Sequence, residues 1–595
     1  MCGLFGILSD ETLRPENLHR ARLSRDALAH RGPDHAGELV DDTLYLGHRR
    51  LSIIDTSPAG SQPMIAGNVA ITVNGEIYNF RELRADLERL GRRFSSQSDS
   101  EVLLHGFRQW GIDGLAERLD GMYAAVIVDK ATRQVYALRD RAGIKPFHYY
   151  YDGKTLVWAS ELKAIVAYFG RDQLLTDNTA IIDFLTYRYI PSPKTIYRNV
   201  FKLPPASILH LMPKTRKLSV RRYWELPLTE KNRPFPELME ELRTTLASSV
   251  EAQLVSDVPL GLLLSGGIDS SAVTIMASRV VKQIRSFSIS FEGTDRDETP
   301  FAEIVAKQAN TVHAVHRIQQ GEMDDVVNRL TGWFDEPFGD SSAIPTYRVC
   351  AVARRSVTVA LSGDGGDELF GGYRWYQRYD RLRRLQQFVP VKQAEGRKIP
   401  ASLPGARMMH LLTVGDPVRL WALLRGGLKT QKLLAWKAKL GVDREYDDLW
   451  AYRRHFRPDI SPRQCARLMD FHTYLPDDVL TKVDRTSMAV SLECRPPFLS
   501  RSMIEFAFSL PESFVFMCGD LKGGLKAAMR GVLPESILAR GKQGFGVPDF
   551  GWKKQLATRH GSFNEALVQT FLDGRAIPVK TSADIRASSP LQENL

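Results

Sequence analysis

Cysteine is scarce in this chain of 595 residues: Cys2, Cys350, Cys465, Cys494 and Cys518 are scattered, and no two stand in a CxxC spacing. No disulfide framework or cysteine-based zinc site is therefore expected. Long apolar runs are also missing. Stretches such as Val258 to Leu264 are too short to cross a bilayer and are flanked by loop residues. Met1 to Leu8 has neither a basic leader nor an extended apolar segment, so no signal peptide is read there and a cytoplasmic protein is expected. Basic charge is not concentrated either. The net charge of +11 is spread in small groups such as Arg381-Leu-Arg-Arg384, so neither a nucleic acid nor a membrane is expected as a partner.

What is present is an ordinary globular composition, 43% hydrophobic and 25% charged, on a chain too long for one hydrophobic core. Two or more domains follow. Alternating residues predict strands over 43–54, 69–73, 122–128, 135–138 and 156–159, and helical spacing predicts helices over 80–90 and 100–110. Sheets covered by helices result. The proline-rich, basic passage 206–235 reads as a linker. Leu238, Leu242, Leu246, Val250 and Leu254 then form one helix stripe. Strands over 258–264, 286–291 and 357–361 alternate with helices over 270–282 and 299–309, the order of a doubly wound α/β sheet. Beyond about residue 375 the pattern is mainly helical, and 561–595 reads as a divergent tail.

Two loops carry the chemistry. Removal of Met1 would leave the Cys2 thiol beside its own α-amine, which titrates near ~8 and can act as a built-in general base for an N-terminal nucleophile. Read alone, Cys2 is a small apolar filler. Its company changes that: Cys2-Gly-Leu-Phe-Gly-Ile7 is followed by His30-Arg-Gly-Pro-Asp34, Arg50-Leu-Ser-Ile53, Asn74-Gly-Glu-Ile-Tyr-Asn79 and Ser98-Asp-Ser-Glu101. Asn74-Gly75 in isolation would be a hairpin turn. The second loop, Ser265-Gly-Gly-Ile-Asp-Ser-Ser271, joins a predicted strand to a helix, where backbone N–H groups and serine hydroxyls suit a pyrophosphate and Asp269 is a hard ligand for Mg²⁺. It lacks the Gly-Lys-Ser/Thr ending of a P-loop, so γ-phosphoryl transfer is not implied. A further acidic loop, Ser362-Gly-Asp-Gly-Gly-Asp-Glu368, follows a strand without the ligand alternation of an EF-hand.

These motifs, with Lys482-Val-Asp-Arg485, Glu493-Cys-Arg-Pro-Pro-Phe498 and Arg540-Gly-Lys-Gln-Gly-Phe545, resemble the glutamine-hydrolysing asparagine synthetase family over nearly the whole chain. The resemblance implies an α+β N-terminal nucleophile hydrolase sandwich (αββα), residues 2–205, followed by an α/β doubly wound parallel-sheet ATP pyrophosphatase domain, residues 236–560, with a mainly helical C-terminal part. By the same resemblance Cys2 attacks glutamine, Asn74 and Gly75 hold the oxyanion, Arg50 takes the substrate α-carboxylate, and Glu76 and Asp99 receive the α-amino end. ATP would be held by Leu264, Ser265, Gly266, Gly267, Asp269, Ser270, Ser271, Ser288, Ser362 and Gly363, and Mg²⁺ by Asp269 and Asp367. Asp364 would act on the acceptor and Lys542 on the α-phosphate. Asp364 departs from the glutamate of some well-known asparagine synthetases, shortening the carboxylate by one methylene. Glutamine, ATP and a carboxylic acid are the implied partners, with a homodimer as candidate assembly. Three readings stay open: amidation of aspartate, amidation of another carboxylate such as a sugar acid, cell-wall precursor or peptide, and a scaffold that keeps only the fold.

Overall fold

The computed structural model describes residues 1–228, 230, 232–291, 294, 297–318, 332–388, 406–541, 544 and 562–573. Its first half is built from β1 (Gly3–Ser9), β2 (His35–Asp41), β3 (Leu44–Arg50), β4 (Met64–Ala66), β5 (Val69–Ile77), β6 (Gly121–Asp129), β7 (Gln134–Arg139), β8 (His148–Tyr151), β9 (Thr155–Ala159), β10 (Val200–Lys202), β11 (Ser207–Met212) and β12 (Lys217–Arg222). They pair as two six-stranded sheets in the orders β10-β8-β9-β1-β3-β2 and β12-β11-β7-β6-β5-β4.

Period-two alternation with both faces apolar makes the layers. Leu4 and Leu8 of β1 join Leu46, Val126 and Trp158 between the sheets. Phe5 and Ile7 point the other way, into a core shared with Leu162, Ile165 and Phe184 of the helices Leu162–Phe169 and Asn178–Tyr187. On the outer face of the second sheet, Ile71, Val73 and Ile127 pack on Leu83, Leu87, Val102 and Leu103 of the helices Phe80–Arg89 and Glu101–Arg118. The result is the αββα sandwich.

The second half holds β13 (Leu260–Leu263), β14 (Arg285–Ser290), β15 (Val312–Arg317), β16 (Val359–Leu361) and β17 (Glu493–Arg495). All neighbours are parallel, in the order β15-β14-β13-β16-β17. Chain order reverses between β13 and β16, so the loops leaving their carboxyl ends flank one crevice, where such sheets bind ligands. Helices dominate after residue 375.

Three expectations need correction. The passage 206–235 is not a free linker, because β11 pairs with β7 and β12 with β11, extending the second sheet to residue 222. Its prolines lie outside those strands: Pro213 sits in the connecting turn, and Pro227 and Pro234 follow β12, with Pro234 at the N-cap of the helix Phe235–Gln253, so no ladder hydrogen bond is lost. The strands β15 and β17 were not expected. β17 is Glu-Cys-Arg, and its charged ends are buried because Arg495 Nε lies 2.7 Å from Glu493 Oε1. Finally, the passage taken as a divergent tail begins with an ordered helix, Phe563–Leu572, capped by Ser562. Its Ala566, Leu567 and Val568 enter the core shared with Phe184 and Leu185 of the first half.

Candidate active sites

The first site forms where β1 begins, β3 ends and β5 passes through Asn74 toward its end at Ile77. The Cys2 backbone N–H donates to Asn74 Oδ1 at 2.9 Å, which turns the amide so that Nδ2 faces away. That Nδ2 is buried and without a hydrogen-bond partner among the described residues. An orphaned buried donor beside a thiol suits an oxygen that becomes negative. Asn74-Gly75 is not a hairpin turn but lies inside β5, opposite Ala124 and Tyr123. Gly75 has φ +147°, and a Cβ there would meet the Met122 carbonyl oxygen at 2.0 Å. Only glycine fits.

Burial raises the Cys2 thiol above its usual range, opposed by the nearby N-terminal amine, a hydrogen bond from the Leu51 backbone and the positive charge of Arg50. The Arg50 guanidinium is buried and tied to backbone carbonyls, donating to Ser57 O at 2.8 Å and also to Asp55 O. Asp99 Oδ2 accepts from the Ile77 N–H at 2.8 Å. Burial pushes Asp99 up to about 6. Burial likewise pushes Glu76 well above the carboxylate range, reinforced by Glu493 and Asp99 and opposed by Arg495.

The second site is the crevice at the β13–β16 reversal, a cavity of about 920 Å³. The helix Ile268–Val280 begins in the serine-rich loop and directs its N-terminus into the crevice. Ser265 Oγ and Ser270 Oγ lie 3.1 Å apart, and the Ser265 N–H donates to Ser270 Oγ at 3.2 Å, so the loop is closed on itself. Ser271 Oγ is buried with no hydrogen-bond partner among the described residues. Ser288 of β14 donates to the Leu264 carbonyl, fixing the loop's entry. Gly266 has φ +71°, and a Cβ there would meet Ala302 N at 2.6 Å. Gly363 brings the acidic loop so close that a Cβ would lie 2.7 Å from Ser270 N. The two loops therefore touch.

Ser362 Oγ donates to Asp364 Oδ2 at 2.7 Å. Gly267, Asp269, Asp364 and Asp367 all line the cavity. Asp269 and Asp367 converge on the ammonium of Lys522, each within ion-pair distance. Burial opposes that charge, but the two carboxylates hold Lys522 above the ordinary lysine range. Two hard oxygen donors already sharing one cation fit Mg²⁺. Lys522 and Lys526, both lining the cavity, escaped the sequence reading. Lys522 is a lone residue at φ +57° before a short helix, with no spacing pattern to mark it. Lys542 lies outside the described residues.

A second, small cavity of about 10 Å³ lies beside the crevice, lined by Met1 and by Ser362, Asp364, Val483 and Cys494. Ser362, Asp364 and Val483 also line the large one. Among the described residues no helix is long and apolar enough to cross a membrane.

Comparison with known proteins agrees with this arrangement. The asparagine synthase family model matches residues 241–576 and the glutamine amidotransferase domain model residues 1–224. The glutamine-hydrolyzing asparagine synthetase 1 of Bacillus subtilis is 31% identical over 575 residues, covering 93% of this chain and 88% of the relative. A Methanocaldococcus jannaschii relative is 36% identical over 525 residues, 82% of this chain and 98% of its own. The amidase chry2 of Gibberella zeae is 28% identical over 551 residues, 82% and 78% of the two chains. With catalytic-looking loops in both halves and family matches across both, the chain belongs to the asparagine synthase family and is a glutamine-dependent amidotransferase ligase that uses ATP.

Proposed function

We propose that this enzyme makes asparagine from aspartate in the cytoplasm. Once Met1 is removed, the Cys2 α-amine takes the thiol proton, sulfur attacks the side-chain amide carbon of glutamine, and the proton passes to the departing ammonia. Asn74 Nδ2 and the Gly75 N–H receive the oxyanion. Arg50 pairs with the α-carboxylate, and Glu76 and Asp99 with the α-amine. Water then cleaves the thioester to glutamate.

In the crevice, the side-chain carboxylate of aspartate attacks the α-phosphorus of ATP, and pyrophosphate leaves. The N–H groups and hydroxyls of 265–271, together with Ser288, Ser362 and Gly363, bind the nucleotide. Asp269 and Asp367 would hold Mg²⁺, which supplies charge neutralisation at the pyrophosphate when bound. Lys522 and Lys526, and Lys542 beyond the described residues, would add positive charge there. Ammonia then attacks the acyl-adenylate, Asp364 accepts a proton, and AMP departs.

The observation that supports this reading is that Asp364 stands in the walls of both cavities, a position that suits one carboxylate serving both the activated acceptor and ammonia. To test it, glutamine, ATP and Mg²⁺ are supplied with a panel of carboxylic acids while glutamate, pyrophosphate and amide are assayed. Pyrophosphate release that requires aspartate supports asparagine synthesis. Release with a different acid alone would replace aspartate as acceptor.

A further inference from the structure

The glutamine site is walled partly by the other half of the chain. Arg495 of β17 is 1% exposed. Its Nε lies 2.7 Å from Glu493 Oε1, and its Nη1 donates to the backbone carbonyls of Gln253 and Val255, both at 2.7 Å. These contacts fix the guanidinium plane and leave Nη2 aimed at Glu76 Oε2 across 3.7 Å. Both atoms are buried, and neither has a hydrogen-bond partner among the described residues. A facing donor and acceptor left just beyond hydrogen-bond range form a contact that can tighten when a ligand loads one of them. The backbone of Arg495 reaches the opposite way, since its carbonyl accepts the Ser362 N–H at 2.9 Å.

We infer that Arg495, a residue of the ligase sheet, is a positioning residue for glutamine hydrolysis: it aims Glu76 at the amino end of glutamine. This rests on Glu76 being a glutamine-binding residue. The groups facing Glu76 are Asp99 beside the helix Glu101–Arg118, Glu493 and Arg495 of β17, the Cys2 thiol, the Tyr78 hydroxyl and the N-terminal amine, here that of Met1. Glu493 and Asp99 disfavour its charge, and Arg495 and the amine favour it. Only Arg495 is a side-chain cation in that set. A two-pronged ion pair with Glu493 alone would need no unpartnered Nη2 turned toward Glu76.

The test compares Arg495→Met and Arg495→Lys with the parent enzyme, which must first hydrolyse glutamine; if it does not, the glutaminase reading fails independently of Arg495. In Arg495→Met, KM for glutamine is expected to rise at least about tenfold, equivalent to about 1.4 kcal/mol. The acidic limb of glutaminase kcat/KM should also move to higher pH, because Glu76 and Asp99 both lose a charge that favours their ionised forms. Synthesis from added ammonium should stay within about threefold, since the backbone contact to Ser362 survives, and Arg495→Lys should restore much of the pH limb. An unchanged glutamine KM and pH profile in Arg495→Met overturns the inference. So does an equal loss of glutamine- and ammonium-supported synthesis in both variants, which is what damage to the fold would give. If Arg495→Met does not fold, a cycle of Arg495→Lys with Glu76→Gln decides: coupled effects on glutamine KM support the contact, and strictly additive effects overturn it.

Discussion

Arg31 and Asp484, 453 residues apart in the chain, form a two-pronged buried ion pair across the junction of the two halves, with Nη1 to Oδ2 at 2.7 Å and Nη2 to Oδ1 at 2.9 Å. Arg31 also donates to Glu161 at 2.6 Å, and Glu161 lies 2.9 Å from Arg485. A carboxylate of the first half and one of the second thus share one guanidinium.

Removing Arg31 leaves Asp484 charged and dry, whereas removing Asp484 leaves Arg31 paired with Glu161. Arg31→Ala should therefore destabilise the enzyme by about 3–5 kcal/mol, and Asp484→Ala by less, read as a lower denaturation midpoint. A shift under ~1 kcal/mol would mean that solvent reaches the pair.

Cys2→Ala should abolish glutamate formation while leaving synthesis from ammonium chloride in place. Both activities are followed in one preparation, by glutamate release and by pyrophosphate release. Loss of both would refute the division of labour between the halves.

Asn74→Ala removes the unpartnered Nδ2. Glutaminase kcat should fall about 10²–10³-fold with little change in glutamine KM, the signature of a donor used mainly in the transition state. A rise in KM alone would make Asn74 a binding residue instead.

Asp99, pushed up to about 6 by burial, must be ionised to receive an ammonium group. As pH falls through about 6 its carboxylate is protonated and glutamine KM should rise. Above that pH the KM should level off. The sign for stability is opposite: the raised value means that folding favours the protonated form, so this group costs stability above pH ~4 and less below it. Asp99→Asn should flatten the acidic limb of the KM profile, and an unaltered limb would assign it to another group.

Lys522→Met leaves Asp269 and Asp367 facing each other without their shared cation. Acceptor-dependent pyrophosphate release should drop at least about 10²-fold, with glutamine hydrolysis within about threefold of the parent. Calorimetric titration with ATP reports whether nucleotide binding falls with it. Unimpaired pyrophosphate release would remove Lys522 from the site.

Local pattern carried much of the architecture and both reactive loops. Two-residue alternation with apolar side chains on both faces is already a statement that each sheet is covered twice, which Leu4 against Phe5 makes concrete. Serines and glycines between an apolar strand and a helix encode an anion site because backbone N–H groups point there whatever surrounds them. The sequence also named Cys2, Asn74 and Asp364. It could not say that Lys522 stands between Asp269 and Asp367, that Arg495 reaches Glu76, or that Asp364 borders two cavities, because those neighbours are set by how strands and loops far apart in the chain are brought together. Nor could it reveal β17 or the ordered helix after Ser562. Strand and helix signals are written in short-range periodicity, whereas a three-residue charged strand exists only because its partners, Glu493 with Arg495 and Leu361 opposite Arg495, arrive through tertiary packing.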